Sequence, residues 1–364
     1  MYLKSIIRGE TVMKKTVIFL GAGASKADGA PLQRELFKSY FKACEDEKLN
    51  ENFDIKHSKV KELVDRYFKN FFDFSEDFDY RKAVFPTFEE ALGILDLAIE
   101  RNEKYRSELG NLYKYRTALI FSMAQAIQYK IEASQSGIQG ESHTKLIHNL
   151  EGDIQKGNIS FISTNYDIIL DNALGNKFEV DYGFYPSGDL NNIKSGVKLL
   201  KIHGSLNWKY CPVCKHIDAK LEPQGSLSIV DNPGSVKCDH CHADAQYIIV
   251  PPTYYKDMSN VYLANIWNNA EKLLREAEHI IFSGYSLPSA DMHIKYLLKR
   301  AELNRDKDSR FKATVINYFP NKIVGAIEKE QNRYSRFFKN TSDINYIKEM
   351  SFQDFAENPF KVLE

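Results

Sequence analysis

The chain has 364 residues, and its 49 Lys+Arg balance 49 Asp+Glu to give a formal net charge of zero. That length suits one large domain or two modest ones. A neutral chain lacks the basic excess of a dedicated nucleic-acid binder, so direct nucleic-acid binding is not indicated. No apolar run approaches the roughly 20 residues that span a bilayer, and the opening MYLKSIIRGETVMKK lacks the long apolar core of a secretory signal, so no membrane association is expected.

In chain order, Met13 stands directly before KKTVIFLG and is an alternative start to Met1, which would make the first twelve residues an extension. The run TVIFL (16–20) is the first of six short, near-continuous apolar stretches. The others are ISFIS (159–163), KLLKI (198–202), YIIV (247–250), HIIFS (279–283) and ATVIN (313–317). Apolar runs of this length without alternation are expected to be buried parallel strands. Each ends in a loop rich in Gly, Ser, Asn or Pro, where an open α/β sheet keeps its ligands.

Between the first two runs the spacing predicts a helical block. LQRELFKSYFKACEDE, VKELVDRYFKNFF, FEEALGILDLAIERN and YRTALIFSMAQAIQYKIEAS all carry apolar residues at helical intervals. Thr87 and Glu90, after Pro86, have the form of a capping box. The many Phe and Tyr residues here are expected to be core and helix-packing surface, with part of the block available as an oligomer interface.

KTVIFLGAGASKADGAP, ending at Pro31, runs the first strand into Gly21, Gly23 and Gly29. Small residues let backbone N–H groups approach a pyrophosphate, and a following helix adds a favourable dipole. The third glycine falls six positions after the second, and the acidic residue expected some 20 positions later is missing, so the dehydrogenase fingerprint is not met. No Gly-Lys-Ser/Thr follows, which excludes a P-loop. A tight strand-to-helix turn without a ligand remains the competing reading of this stretch.

CPVC (211–214) and CDHC (238–241) are two C-x-x-C knuckles joined by a polar, turn-rich linker. Cys211, Cys214, Cys238 and Cys241 are expected to hold a tetrahedral Zn²⁺. Four thiolates leave no open position, so the metal would be structural. His216, His240 and His242 stand beside them, and Cys44 is isolated in a helix. Such cysteine usage fits a reducing compartment, so a cytoplasmic protein is expected.

The remaining polar residues follow the strands: Thr164, Asn165 and Asp167 in STNYD, His203 in HGS, Ser283, Gly284 and Ser286 in SGYSLPSAD, and Asn317. Together these stretches resemble the sirtuin family. GAGASKADGAP is similar, without gaps, to its signature G-A-G-x-S-x-x-x-G-I-P-D-F-R, with Arg34 on the arginine. TNYD resembles Q-N-x-D, HG resembles the dipeptide of the catalytic histidine, GYSL resembles G-T-S-L, and Ile316-Asn317 resembles the V-N or I-N near the adenine ribose. The cysteine knuckles fall in the family's place for its ribbon. The resemblance covers about 14–34 and 143–317.

The resemblance implies an α/β fold: a Rossmann-like parallel sheet with helices on both faces, a helical insertion and a small four-cysteine zinc ribbon. It divides the chain into a sirtuin-like domain at 14–320, with the insertion at 35–156 and the ribbon at 208–246, and a C-terminal helical segment at 321–364. Gly21, Ala22, Gly23, Ser25, Arg34 and Thr164 would contact NAD⁺, as would Ser283, Gly284 and Ser286, with Asn317 on the adenosine side. Asn165 and Asp167 would line the nicotinamide and ribose pocket, and His203 would act as base. His143 resembles a helix histidine of the family with a structural role.

Breaking the nicotinamide–ribose bond develops an oxocarbenium-like centre and releases a neutral group, so held geometry and a base suffice. Leu32-Gln33 stands where deacylases have D-F, Thr164 replaces Q, and VPPTYYKD replaces the region that seats an acyl-lysine peptide. These departures resemble the sirtuin-like domains of bacterial antiphage systems, which hydrolyse NAD⁺. They imply a gated NAD⁺ hydrolase, with homo-oligomerisation and a HerA-type ATPase as candidate partner. An NAD-dependent protein deacylase and a non-catalytic NAD or ADP-ribose sensor are the alternatives.

Overall fold

The computed structural model describes residues 14–49, 55–103, 111–135, 141–185, 196–221, 228–231, 236–251, 260–289, 291–306, 312–318, 324–338 and 344–363. The extension before Met13, the centre of the ribbon linker and most of VPPTYYKD lie outside them. Strands in chain order are β1 (Thr16–Leu20), β2 (Ile159–Ser163), β3 (Val180–Asp181), β4 (Val197–Lys201), β5 (Gly204–Tyr210), β6 (Ile217–Ala219), β7 (Val236–Lys237), β8 (Asp244–Ile249), β9 (His279–Ser283), β10 (Lys312–Ile316) and β11 (Ile344–Ile347). Helices are α1 (Ala22–Ala27), α2 (Leu36–Leu49), α3 (Ile55–Phe72), α4 (Phe88–Glu100), α5 (Leu112–Gln135), α6 (Ser142–Asn149), α7 (Glu151–Gln155), α8 (Ile169–Gly175), α9 (Ser228–Asp231), α10 (Val261–Glu276), α11 (Met292–Leu303), α12 (Val324–Phe337), α13 (Phe352–Glu357) and α14 (Phe360–Leu363).

Seven strands form one parallel sheet in the order β11-β10-β9-β1-β2-β4-β3. Strand order reverses at β1, whose neighbours β2 and β9 lead to opposite edges. This switch point is where an open α/β sheet binds ligands. Register aligns the carboxyl ends: Leu20 lies opposite Ser163 and Ser283, Ser163 opposite Lys201, and Ser283 opposite Ile316. The central strands β1 and β9 are buried along their whole length, which explains their continuous apolar sequences. Helices cover both faces, with α6 packing on α8 and α13, and α10 packing on α11.

β5 to β8 form a separate antiparallel sheet in the order β6-β5-β8-β7. YIIV therefore corrects the expectation of a sixth parallel strand, because it lies in β8 and pairs antiparallel with β5. Its apolar run misleads for a physical reason. Ile248 enters the sheet core, whereas Tyr247 and Ile249 enter a second core, so β8 is buried on both sides like a central parallel strand. The segment 321–364 is likewise not purely helical, since β11 adds a parallel edge strand beside β10.

The second core belongs to the helical block. Phe37, Tyr40, Phe41, Tyr67, Phe68 and Phe88 are buried with α5 residues such as Leu119 and Phe121. Thr87 and Glu90 form the capping box that starts α4. This core also takes in Tyr166 and Ile168 from the loop after β2 and Leu206 from β5, so the block packs against the loop that carries Asn165 and Asp167.

Candidate functional site

The glycine loop is built for contact between two backbones. Gly21 N–H donates to Ser283 O at 3.0 Å and Gly23 N–H to Gly284 O at 3.0 Å. A Cβ on Gly21 would stand 2.6 Å from Gly284 O, and one on Gly23 would stand 2.8 Å from Gly284 Cα. Gly284 itself has φ +66, and a Cβ there would meet Ala24 N at 2.2 Å. Glycine at these positions therefore lets the turn into α1 touch the loop after β9. The N–H groups of Gly21 and Gly23 thus hold that loop, and Ala22 between them is half-buried.

Asn165 ties in the third strand end. Its Nδ2 donates to Gly21 O at 3.0 Å and to Ser25 Oγ at 2.7 Å, and its own N–H donates to Ser163 Oγ at 3.1 Å. With both amide hydrogens used, Oδ1 is the atom left to accept from a ligand hydroxyl. Thr164 N–H donates to Leu20 O at 3.0 Å. Asp167 is buried, and its Oδ1 accepts from Ile169 N at 3.2 Å, which starts α8. Its position thus serves the helix start.

His203 follows β4 and is 3% exposed. Its Nδ1 lies 3.2 Å from Thr164 O, and its Nε2 lies 3.8 Å from Asp291 Oδ1, which belongs to the equally buried end of the SGYSLPSAD loop. Tyr285 OH donates to Asp291 Oδ2 at 2.9 Å. Beneath His203, buried Lys201 donates to Asp171 Oδ2 at 2.8 Å, to Ser205 Oγ at 2.6 Å and to Asp167 O. That ion pair is fully bonded and braces the β2 and β4 loops against each other. Neither Asp291 nor Lys201 was singled out by sequence reasoning, although Asp291 closes a loop it quoted.

Ser283 is buried at the end of β9, and its Oγ has no hydrogen-bond partner among the described residues. This hydroxyl, beside the glycine turn, is left with unused hydrogen-bonding capacity. Ser286 is half-buried, and its carbonyl accepts from Arg333 Nε at 3.0 Å. Asn317 Nδ2 donates to Tyr285 O at 3.1 Å and to Glu330. Burial raises the Glu330 carboxyl above its usual range, against hydrogen bonds from Tyr346 and Asn317. Leu287, the last residue of GYSL, holds φ 48 in the left-handed region. Arg34 is exposed on the turn Gln33–Glu35.

Gln33 reaches across to the helical block, where its Nε2 donates to Glu89 Oε1 on the first turn of α4. The block closes over the site from this side: Phe88 packs on Tyr166, whose ring lies 6.1 Å from that of His203.

The four cysteines converge on one point. Cys211 Sγ lies 3.5 Å from Cys241 Sγ and Cys214 Sγ lies 3.6 Å from Cys238 Sγ, with all four within 4.8 Å of one another. A tetrahedral site with metal–sulfur bonds of about 2.3 Å needs sulfurs about 3.8 Å apart. The two knuckles repeat one design. Lys215 N–H donates to Cys211 O and His242 N–H to Cys238 O, with both Lys215 and His242 at φ near 60. The Cys214 N–H and other backbone donors pull the Cys211 thiol down to about 7. The residues fit a bound metal. His216 and His240 stack on each other, their ring centroids 5.7 Å apart.

Polar strand-end loops at a sheet switch point, with a four-cysteine ribbon inserted after β4, define a Rossmann-type chain of sirtuin organisation. The SIR2-like domain pattern matches residues 159–347, a little over half of the chain, and the chain belongs to that family. No curated protein matches it. Among solved structures it is similar to Sir2Tm bound to a propionylated peptide, at 14% identity and a TM-score of 0.40, covering 96% of this chain and 93% of that one. A Sir2 homologue in complex with NAD is 13% identical, with a TM-score of 0.40 and coverage of 96% and 90%. No helix among the described residues is long and apolar enough to cross a membrane.

Proposed function

We propose that this chain is an NAD⁺ hydrolase that cleaves the nicotinamide–ribose bond. Water enters as the acceptor, and nicotinamide, ADP-ribose and a proton leave. The observation that carries the reading is Gln33. It stands where the deacylase signature has an aromatic residue, and its side chain is held to Glu89 of the helical block. A polar residue there leaves the reacting ribose face open to water.

Ser283 Oγ, Ser25 and Ala22 would bind the phosphates and ribose, with Gly21, Gly23 and Gly284 holding the two loops together. Asn165 Oδ1 would accept from a ribose hydroxyl or orient the water. His203 would hold or move the proton, and Asn317 would face the adenosine. Zn²⁺ in the four-cysteine site would be structural, since no coordination position stays open. In this reading the activity is gated, and the chain acts as an NAD⁺-depleting effector of bacterial antiphage defence in a homo-oligomer, with a HerA-type ATPase as its partner.

A protein deacylase is the second reading. It is favoured by the ribbon, whose strands β5 and β8 join directly to the His203 loop through the pairing of Gly204 with Ile249. Incubation with NAD⁺, with and without an acyl-lysine peptide, separates the two. Nicotinamide release independent of peptide supports hydrolysis, and strictly peptide-dependent release overturns it. Binding without turnover in every assembly state would leave a sensor.

A further inference from the structure

The pair formed by His203 and Asp291 links two loops that lie far apart in the sequence. His203 Nδ1 stands 3.2 Å from Thr164 O, which can only accept, so Nδ1 carries hydrogen and donates. In a neutral imidazole the lone pair then sits on Nε2, facing Asp291 Oδ1 at 3.8 Å with both side chains 3% exposed. Two acceptors facing each other in so dry a place repel. Protonation of Nε2 turns the contact into an ion pair. Tyr285, donating to Asp291 Oδ2, and the Asp291 backbone N–H, donating to Pro288 O at 3.3 Å, keep the carboxyl aimed at the ring.

We propose that Asp291 is a positioning residue whose carboxylate, 3.8 Å from Nε2, favours the protonated form of His203 and thereby sets the protonation state of the site. Asp291 begins α11, so the C-terminal half of the sheet controls a histidine supplied by the N-terminal half. Other charges face the pair. Lys295 on α11 lies near Asp291, whose charge opposes the lowering that burial imposes on the Lys295 ammonium. Glu89 of α4 acts in the same sense as Asp291, its charge reaching both Tyr166 and Tyr285. Arg116 and Asp96 are joined at 2.6 Å and largely cancel. Asp291 Oδ1 lies 3.8 Å from Nε2. One consequence rests on the NAD⁺ reading: a cationic nicotinamide ring entering beside the pair would drive the His203 proton to solvent, leaving His203 neutral and basic.

The test follows the His203 ring by NMR titration of the full chain, with its signals assigned by their loss in His203→Gln. An opposite charge at this distance raises a histidine midpoint by roughly 1–3 pH units. Asp291→Asn should therefore lower the His203 midpoint by at least about one unit, and Glu89→Gln should lower it less. Where Asp291→Asn does not fold, Asp291→Ser supplies the same neutralisation. A midpoint that stays in place on neutralisation, or that moves further in Glu89→Gln, overturns the proposal. The acid limb of NAD⁺ turnover should move with the NMR midpoint. Should the wild-type chain consume no NAD⁺ at any pH, the hydrolase reading fails while the titration still decides the role of Asp291.

Discussion

Asn165 Nδ2 lies 2.7 Å from Ser25 Oγ, and the same amide donates to Gly21 O at 3.0 Å. The loop after β2 is thereby fixed to the turn after β1. Asn165→Ala should reduce NAD⁺ turnover by about 100-fold or more, the usual scale for losing a group that orients a reacting hydroxyl or water. Ser25→Ala, which leaves the Gly21 bond in place, should cost only about tenfold. Nicotinamide release measured by chromatography, with circular dichroism confirming the fold, checks both. Equal loss in the two variants would show that the amide matters for stability and not for ligand geometry.

Gln33 and Glu89 join the signature loop to the helical block. Gln33→Phe restores the aromatic of the deacylase signature and should lower peptide-independent NAD⁺ consumption by about tenfold by shielding the ribose face, a loss near 1.4 kcal/mol of transition-state stabilisation. A rate equal to wild type would remove Gln33 as the basis of the hydrolase reading.

The cysteine cluster should carry about one zinc per chain, as four converging thiolates do. Cys238→Ser should lower the metal content and the thermal midpoint together, because the metal joins the two knuckles across the linker. Elemental analysis of the purified chain reads this directly, and a folded wild type free of metal would sink the assignment.

His279 is buried between β9 and β10, with Nε2 2.9 Å from Thr314 Oγ1. Burial, aided by the charges of Lys312 and Lys14, pushes it down to about 4. The unfolded chain, with an ordinary histidine near 6.5, binds more protons below that pH. The stability contributed by the neutral ring is therefore complete above about pH 6.5 and is lost as pH falls toward 4, for a total of about 3 kcal/mol. His279→Gln should flatten this part of the curve. Denaturant midpoints for both chains between pH 4 and 7.5 test it, and parallel curves would refute it.

Much of the fold was legible because some local signals survive any tertiary context. β1, β2 and β9 lie on their apolar runs residue for residue, since strands buried on both faces have no polar side to interrupt the pattern. The Thr87–Glu90 box and the paired C-x-x-C knuckles are equally local. The short edge strand β11, INYI, was not legible, because four residues on a half-exposed edge carry too little pattern. YIIV was misread because burial on two sides looks the same in parallel and antiparallel sheets.

The sequence by itself determined the buried strands β1, β2 and β9, the place of the polar loops after them and the identity of the four thiols. These depend on periodicity and spacing within short stretches. The tertiary structure alone decided what those loops do to one another. It turned Gly21 and Gly23 toward the backbone of Gly284, placed Asn165 on Ser25, set Asp291 against His203 and brought Glu89 to Gln33. Each of these contacts joins residues far apart along the chain. Their existence depends on strand order and register, which bring Leu20, Ser163, Lys201, Ser283 and Ile316 to one edge and leave no trace in local composition.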